Sequence, residues 1–315
     1  MKKLLIILLI ASLMVASAAC GSGQEPEGNT DDQTEKTSIV ATVFASYDWT
    51  RNLIKGQEDR FDLKLLTDSG VDLHSFQPSV SDIADVTDCD LLIRTGGESE
   101  SFIDDIEAGG SFQGAEVDLL EVLGDGAIMI DGEEGREPDE HVWLSLRNAE
   151  KFSGAICEAL KELDPENAEL YEANLEAYIG ELEELDSEYS KMVGDGTFEV
   201  VLGDRYPFIY LFSDYGIGCW PAFTGCSSET DASFETVTAL AKKVDELGLK
   251  YVLTVDGSDG KVAQAIINVT ESRDQEILEL NSMQTVSKGD IEAGETYIGV
   301  MKANLEILMT VKGTN

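Results

Sequence analysis

The stretch from Asp164 to Gly194, DPENAELYEANLEAYIGELEELDSEYSKMVG, restricts the fold more than any other part of the chain. Tyr171, Leu175, Tyr178, Leu182, Leu185 and Tyr189 recur with a 4-3-4-3-4 spacing, which lays them along one stripe of an α-helix. Glu166, Glu169, Glu172, Glu176, Glu183 and Asp186 fall on the other face. Asp164 is placed to cap the helix, and Pro165 suits its first position, where no N–H partner is needed. Gly194 offers a left-handed stop. At ~1.5 Å per residue the helix is roughly 43 Å long, more than the width of a small domain. Gly180 in its middle costs up to ~1 kcal/mol and is read as a point of close packing. Such a helix serves either a coiled coil or a spine between two lobes. No charge alternation flanks the stripe, and strand-and-helix patterns lie on both sides of it, so the spine is the expectation.

Those flanking patterns alternate. Strand candidates Ser38 to Phe44, Phe61 to Leu66, Leu91 to Arg94 and Gly126 to Ile130 precede the spine, with helical segments between them. Glu199 to Leu202, Ile217 to Phe223, Tyr251 to Val255 and Glu276 to Leu280 follow it, and a closing helix runs from Tyr297 to Val311. The alternation predicts an α/β protein, with two lobes of parallel sheet and flanking helices. The expected division is a signal peptide over 1–19, a disordered lipid-anchored tether over 20–37, an N-terminal lobe over 38–163, the linking helix over 164–194 and a C-terminal lobe over 195–315.

The signal peptide rests on Lys2 and Lys3, the apolar run Leu4 to Val15, and the small residues Ala16 to Ala19 ahead of Cys20. That is a charged start, a short apolar core and a small-residue cleavage site, too short for a comfortable membrane span. Ala18-Ala19-Cys20-Gly21 resembles a bacterial lipoprotein signal, so Cys20 is the expected lipid attachment and the cell membrane the expected address. Gly21 to Lys36 is polar and nearly free of apolar residues, the composition of a disordered tether, with an end-to-end distance of about 22 Å.

Charge narrows the partners. Lysine and arginine number 22 against 62 aspartates and glutamates, a formal net charge of −40. Such a chain does not bind nucleic acid through phosphates, is repelled by anionic lipid, and draws cations toward any cleft. Among the remaining cysteines, Cys89 and Cys157 sit in apolar patterns and read as buried small hydrophobes. Cys219 and Cys226 invite a disulfide. An extended CWPAFTGC would hold them ~23 Å apart, against the ~4.4–6.8 Å between Cα atoms that a bridge needs, although Pro221 and Gly225 could bend the segment.

The chain has two histidines, and both stand in loops after strand candidates, where open α/β sheets bind ligands. His74 lies in GVDLHSFQPS and His141 in EPDEHVWLSL. At this point the sequence resembles the metal-binding lipoproteins of bacterial zinc and manganese ABC importers. Gly70 to Pro78 gives G-x-D-x-H followed by proline. Leu91 to Phe102 contains T-G-x-E-x-x-x-F, and Asp139 to Ala149 contains D-x-H-V-W-L-x-x-x-N-A. Leu163 to Asn174 opens the spine, and Phe208 to Gly216 carries F-x-Y-x-x-x-x-Y-G. The five motifs stand in family order, and the resemblance covers most of the chain beyond the tether.

The resemblance implies a cleft site of three histidines and one carboxylate. His74 and His141 take the first two positions, and the carboxylate falls at Asp256 in VLTVDGSD. Arg205 stands where the third histidine belongs, and a guanidinium cannot donate to a metal. Two imidazoles, a carboxylate and a fourth donor suit zinc, whereas manganese favours more oxygens. Zinc is therefore the expected cargo and manganese the alternative. Candidate fourth donors are Cys226, Glu229, Asp204 and water. Arg205 is placed to pair with Asp256 or Glu229, or to hold an anion. The acidic loop Asp131 to Glu140 reads as solvated.

The implied function is a monomeric solute-binding lipoprotein that hands zinc to an ABC permease. Other readings are a receptor for a metal chelate or small anion, a zinc-dependent hydrolase, and a surface adhesin. Against the hydrolase, the chain has no HExxH helix.

Overall fold

A computed structural model describes residues 36–131, 135–223 and 232–313. Residues 1–35, on which the signal-peptide, tether and Cys20 expectations fall, and residues 224–231, which include Cys226 and Glu229, lie outside the described residues. From Glu35 onward the chain forms one unit.

Two four-stranded sheets dominate it, both wholly parallel. The first contains β1 (Thr37–Ala41), β2 (Phe61–Leu65), β3 (Leu91–Arg94) and β4 (Ala115–Asp118) in the order β2-β1-β3-β4. The second contains β7 (Phe198–Leu202), β8 (Ile217–Pro221), β9 (Tyr251–Val255) and β10 (Glu276–Leu280) in the order β10-β9-β7-β8. Ile39, Val40, Leu91, Leu92, Val252 and Leu253 are at most 1% exposed. Such continuous apolar runs, buried on both faces, are what parallel strands under crossover helices require. Between the sheets in sequence lies a short antiparallel hairpin, β5 (Met129–Asp131) and β6 (Arg136–Pro138).

The long helix α6 (Ala168–Val193) has 26 residues, about 39 Å. Its buried residues are Tyr171, Tyr178, Leu182, Leu185, Tyr189 and Val193, the predicted stripe with Leu175 half-buried at its margin. It packs against α1 (Phe44–Leu53) and α5 (Leu146–Leu163) on the N-terminal side and α11 (Tyr297–Lys312) on the C-terminal side. The largest apolar cluster therefore spans both halves of the chain, with Trp49, Trp143, Phe152, Tyr171, Tyr189 and Tyr297 fully buried in it. Trp49 meets Phe152 and Tyr297 at ring-centroid distances of 5.7 and 5.2 Å. A shared aromatic core of this kind couples the two sheets through dispersion and area burial together.

Three local readings need correction. Pro165–Asn167 form a 3-10 turn before the α-helix proper. Asp164 does not cap the helix: its carboxylate accepts from Tyr171 Oη at 2.6 Å, Asn167 Nδ2 at 2.8 Å and Arg60 at 2.9 Å. A ring hydroxyl seven residues further on takes this carboxylate in place of the backbone. Gly180 is exposed, and a Cβ there would meet nothing within 4 Å, so it marks no close packing. The 131–140 segment is not all solvated loop, since β6 pairs with β5 and Asp139, Glu140 and His141 are buried. Cys89 and Cys157 are buried as expected, and Cys219 is a half-buried free thiol.

Candidate metal centre

Every residue that matters here leaves the carboxyl end of a strand or of the hairpin. His74 follows β2 in a 3-10 turn, Leu73–Ser75, that Asp72 caps by accepting the His74 N–H at 3.0 Å. His141 follows β6, and its own N–H donates to Asp139 Oδ1 at 2.9 Å. These two short-range caps aim the rings. The His74 and His141 Nε2 atoms end 3.1 Å apart, although the residues are 67 positions apart in sequence.

The far nitrogens settle what those Nε2 atoms offer. His141 Nδ1 lies 3.0 Å from Asp139 Oδ1, and His74 Nδ1 lies 2.8 Å from Ser99 Oγ and 3.6 Å from Glu140 Oε2. A carboxylate accepts only from a protonated nitrogen, so His141 carries its hydrogen on Nδ1 and presents a lone pair at Nε2. Ser99 Oγ can donate to or accept from His74 Nδ1, so His74 Nε2 either carries the hydrogen that bonds His141 Nε2 or presents a second lone pair to a cation. Burial, then the neighbouring His141 and, more weakly, Arg205, lower the pKa of His74, which keeps that ring neutral and able to bind a cation at neutral pH. Glu140 reaches this position because Gly97 (φ +98°) has no side chain: a Cβ there would stand 2.5 Å from Glu140 Oε1. Carboxylates behind imidazoles are the outer shell that metal sites use to fix and strengthen histidine ligands.

A third polar atom faces the same point. Gln284 Oε1 is 3.3 Å from His141 Nε2. The orientation of this amide is set by a chain of hydrogen bonds that starts at Asp256. Asp256 Oδ1 accepts from Ser282 N at 2.5 Å and Ser282 Oγ at 2.6 Å, and its Oδ2 accepts from Thr285 Oγ1 at 2.6 Å. Ser282 Oγ, its hydrogen committed to Asp256, accepts from Gln284 Nε2 at 3.1 Å. The amide oxygen is left pointing toward the imidazoles. Two imidazole nitrogens and a carbonyl oxygen thus converge on one point, where a cation is placed to replace the hydrogen between the rings. Zinc bonded to two nitrogens at ~2.0–2.1 Å in a tetrahedron spaces them by roughly 3.3 Å, close to the separation seen.

Asp256 thus lies behind Gln284, with both its oxygens held by the loop after β10. Asp204 is similarly engaged, by Arg205 N at 2.9 Å, Thr254 Oγ1 at 2.8 Å and Ser258 Oγ. Arg205 reaches Asp72, a partner the sequence did not suggest, with Nη1 2.9 Å from Oδ2. Among the described residues no three His, Cys, Asp or Glu side chains gather as a metal site, and the third polar atom beside the two imidazoles is the Gln284 amide oxygen. Sequence reasoning missed Gln284, Ser99 and Glu140. The signal for Gln284 was its place immediately beyond a parallel strand, the same signal that singled out the histidines.

Two parallel-sheet lobes on a long shared helix, with two imidazoles of one lobe facing an amide of the other, have the build of a metal-binding receptor. The model of the family described as zinc-uptake complex component A, periplasmic, matches residues 39–311, and the chain belongs to that family. It is 28% identical over 315 residues to the high-affinity zinc uptake system protein ZnuA of Bacillus subtilis, covering 96% of this chain and 95% of that one. It is 27% identical to the zinc-binding lipoprotein AdcA of Streptococcus pneumoniae, of whose length it spans 60%. Among solved structures, the metal-dependent lipoprotein YcdH from Bacillus subtilis superposes with a TM-score of 0.73 at 26% identity, covering 88% of this chain and 99% of that one.

Proposed function

We propose that this chain captures zinc outside the cytoplasm and delivers it to an ABC-type permease. The observation that carries the proposal is the pair of imidazole Nε2 atoms 3.1 Å apart, each with its far nitrogen tied back. His74 and His141 are the nitrogen donors and Gln284 supplies an oxygen. Asp256 acts from behind by orienting that amide. The fourth position falls to water or to the 224–231 loop, through Cys226 or Glu229. Two nitrogens and one oxygen suit zinc; manganese would bind less well for want of oxygen ligands. We read the chain as a monomer built as two lobes on the 164–194 helix.

The test is zinc titration by calorimetry on protein purified without a histidine tag and stripped with chelator, alongside metal analysis of the unstripped protein. One zinc per chain is expected. A stripped, folded chain that takes up no zinc sinks the proposal.

Delivery at a membrane is served by acylation of Cys20 after removal of 1–19. Among the described residues no helix is long and apolar enough to cross a membrane. Cys20→Ala should therefore move the protein from the membrane fraction to the soluble one with no change in melting temperature. Retention of the variant on membranes would exclude the lipid anchor.

A further inference from the structure

Arg205 begins the loop after β7, in the C-terminal sheet, yet its side chain ends on a residue of the N-terminal half. Nη1 donates to Asp72 Oδ2 at 2.9 Å, with side-chain exposures of 27% and 11%. The other oxygen of Asp72 accepts the His74 N–H and caps the turn that carries the ring. One carboxylate is thus shared between a guanidinium of one lobe and the backbone of a metal donor in the other. Arg205 is held from its own side too, since Asp204 accepts its backbone N–H, lies 3.9 Å from its Nε, and is anchored in turn by Thr254 and Ser258.

The backbones meet at the same seam. Ser69 and Ser287 form an isolated antiparallel bridge, and Lys288 N donates to Asp68 O at 2.8 Å. Gly70 (φ +71°) approaches so closely that a Cβ would lie 2.9 Å from Thr285 O. The loop after β2, with His74, and the loop after β10, with Gln284, are therefore fixed against each other by main chain at one edge. Arg205 and Asp72 make a second fixed point nearer the histidine. With one tie the His74 turn can pivot; with two it cannot.

We infer that Arg205 is a positioning residue for metal capture: through Asp72 it sets the His74 ring of the N-terminal lobe against Gln284 of the C-terminal lobe. This rests on the zinc reading above. The pair is partly shielded from solvent, so it is stronger than an exposed surface pair. Lysine keeps the charge but not the planar fork that fixes direction. Loss of a group that orients a ligand from behind costs ~10–100-fold in metal affinity.

The experiment measures zinc affinity by competition with a chromophoric chelator on the full chain at about 50 and about 500 mM NaCl, a range over which exposed charges become screened. The variants are Arg205→Gln, Arg205→Lys, Asp72→Asn and the Arg205→Gln/Asp72→Asn double, each checked for folding by circular dichroism. Each of the Gln and Asn single variants should lose about tenfold in affinity, Arg205→Lys should recover part of the loss, and the double variant should be no weaker than the weaker single. The parent's affinity should fall more steeply with salt than that of Arg205→Gln. The inference is overturned if Arg205→Gln binds as tightly as the parent, or if the two single losses multiply in the double variant. A parent that binds no zinc overturns the function itself, an outcome seen before any variant is compared.

Discussion

His74→Ala loses two to three decades of zinc affinity, and His141→Ala at least as much; this is the largest effect expected of any single substitution here. A zinc site held by three or four donors is worth ~10–16 kcal/mol in small zinc-folded peptides, so one donor carries about 3–4 kcal/mol, or roughly 200- to 1,000-fold. The metal-free proteins should behave differently from each other. His74 is about one-fifth exposed, so its removal leaves less of a cavity than removal of His141. Metal-free His74→Ala should therefore melt closer to the parent. His141 is 2% exposed and packs on Trp143, with ring centroids 5.3 Å apart, so His141→Ala leaves a cavity and lowers the melting temperature by several degrees. Calorimetric titration with thermal melts reads both quantities. Parent-like zinc affinity in either variant would remove that histidine from the site.

The second large effect is on the pH dependence of stability, and its source is Glu100. This carboxyl is fully buried in the 3-10 turn Glu98–Glu100 that follows β3, and Gly96 N donates to its Oε2 at 2.8 Å. Burial pushes its pKa up to about 7, against lowering by hydrogen bonds from Thr42 and the backbone of Gly96 and Thr95. The native state thus keeps a proton that the unfolded chain, near its ordinary value of 4.5, gives up. Its contribution to stability is full below about pH 4.5, is lost as the pH rises toward 7, and is constant above. Glu100→Gln abolishes that slope. Between pH 5 and pH 8 the stability of the metal-free variant relative to the parent should move by about 2–3 kcal/mol in the variant's favour. Urea unfolding at several pH values measures it. Parallel pH profiles for the two proteins would mean that Glu100 keeps its usual acidity and that its burial is offset by bonding.

Much of this architecture could be read from periodicity. The spine and the strands Leu91–Arg94, Tyr251–Val255 and Glu276–Leu280 sit where the residues put them, because long amphipathic stripes and β-branched apolar runs leave few alternatives. What escaped was short or polar. β4 is Ala115–Asp118, AEVD, with an edge position and two acids, and nothing in four such residues outweighs a loop. The five-residue helix Lys288–Glu292 was missed although its Ser287/Asp290 capping box is the kind of local signature that marks a start. The site was half legible. Histidines are rare here and announce themselves. Gln284 does not, because an amide is an uncommon donor and its role depends on Ser282 and Asp256 turning it the right way. Arg205 was visible as an oddity, but its partner Asp72 lies 133 residues away, a distance no spacing rule can bridge.

That separation has a consequence for when the protein can hold metal at all. His74 and His141 stand 67 residues apart, and His141 and Gln284 stand 143 apart. No stretch of the nascent or unfolded chain contains a zinc site, since closing loops of that length precedes any gain from the donors. The centre comes into being only when the last strand and the closing helix have docked. An unfolded chain therefore holds no ion between these donors, and binding follows folding. Cargo binding doubles as proof that folding is complete.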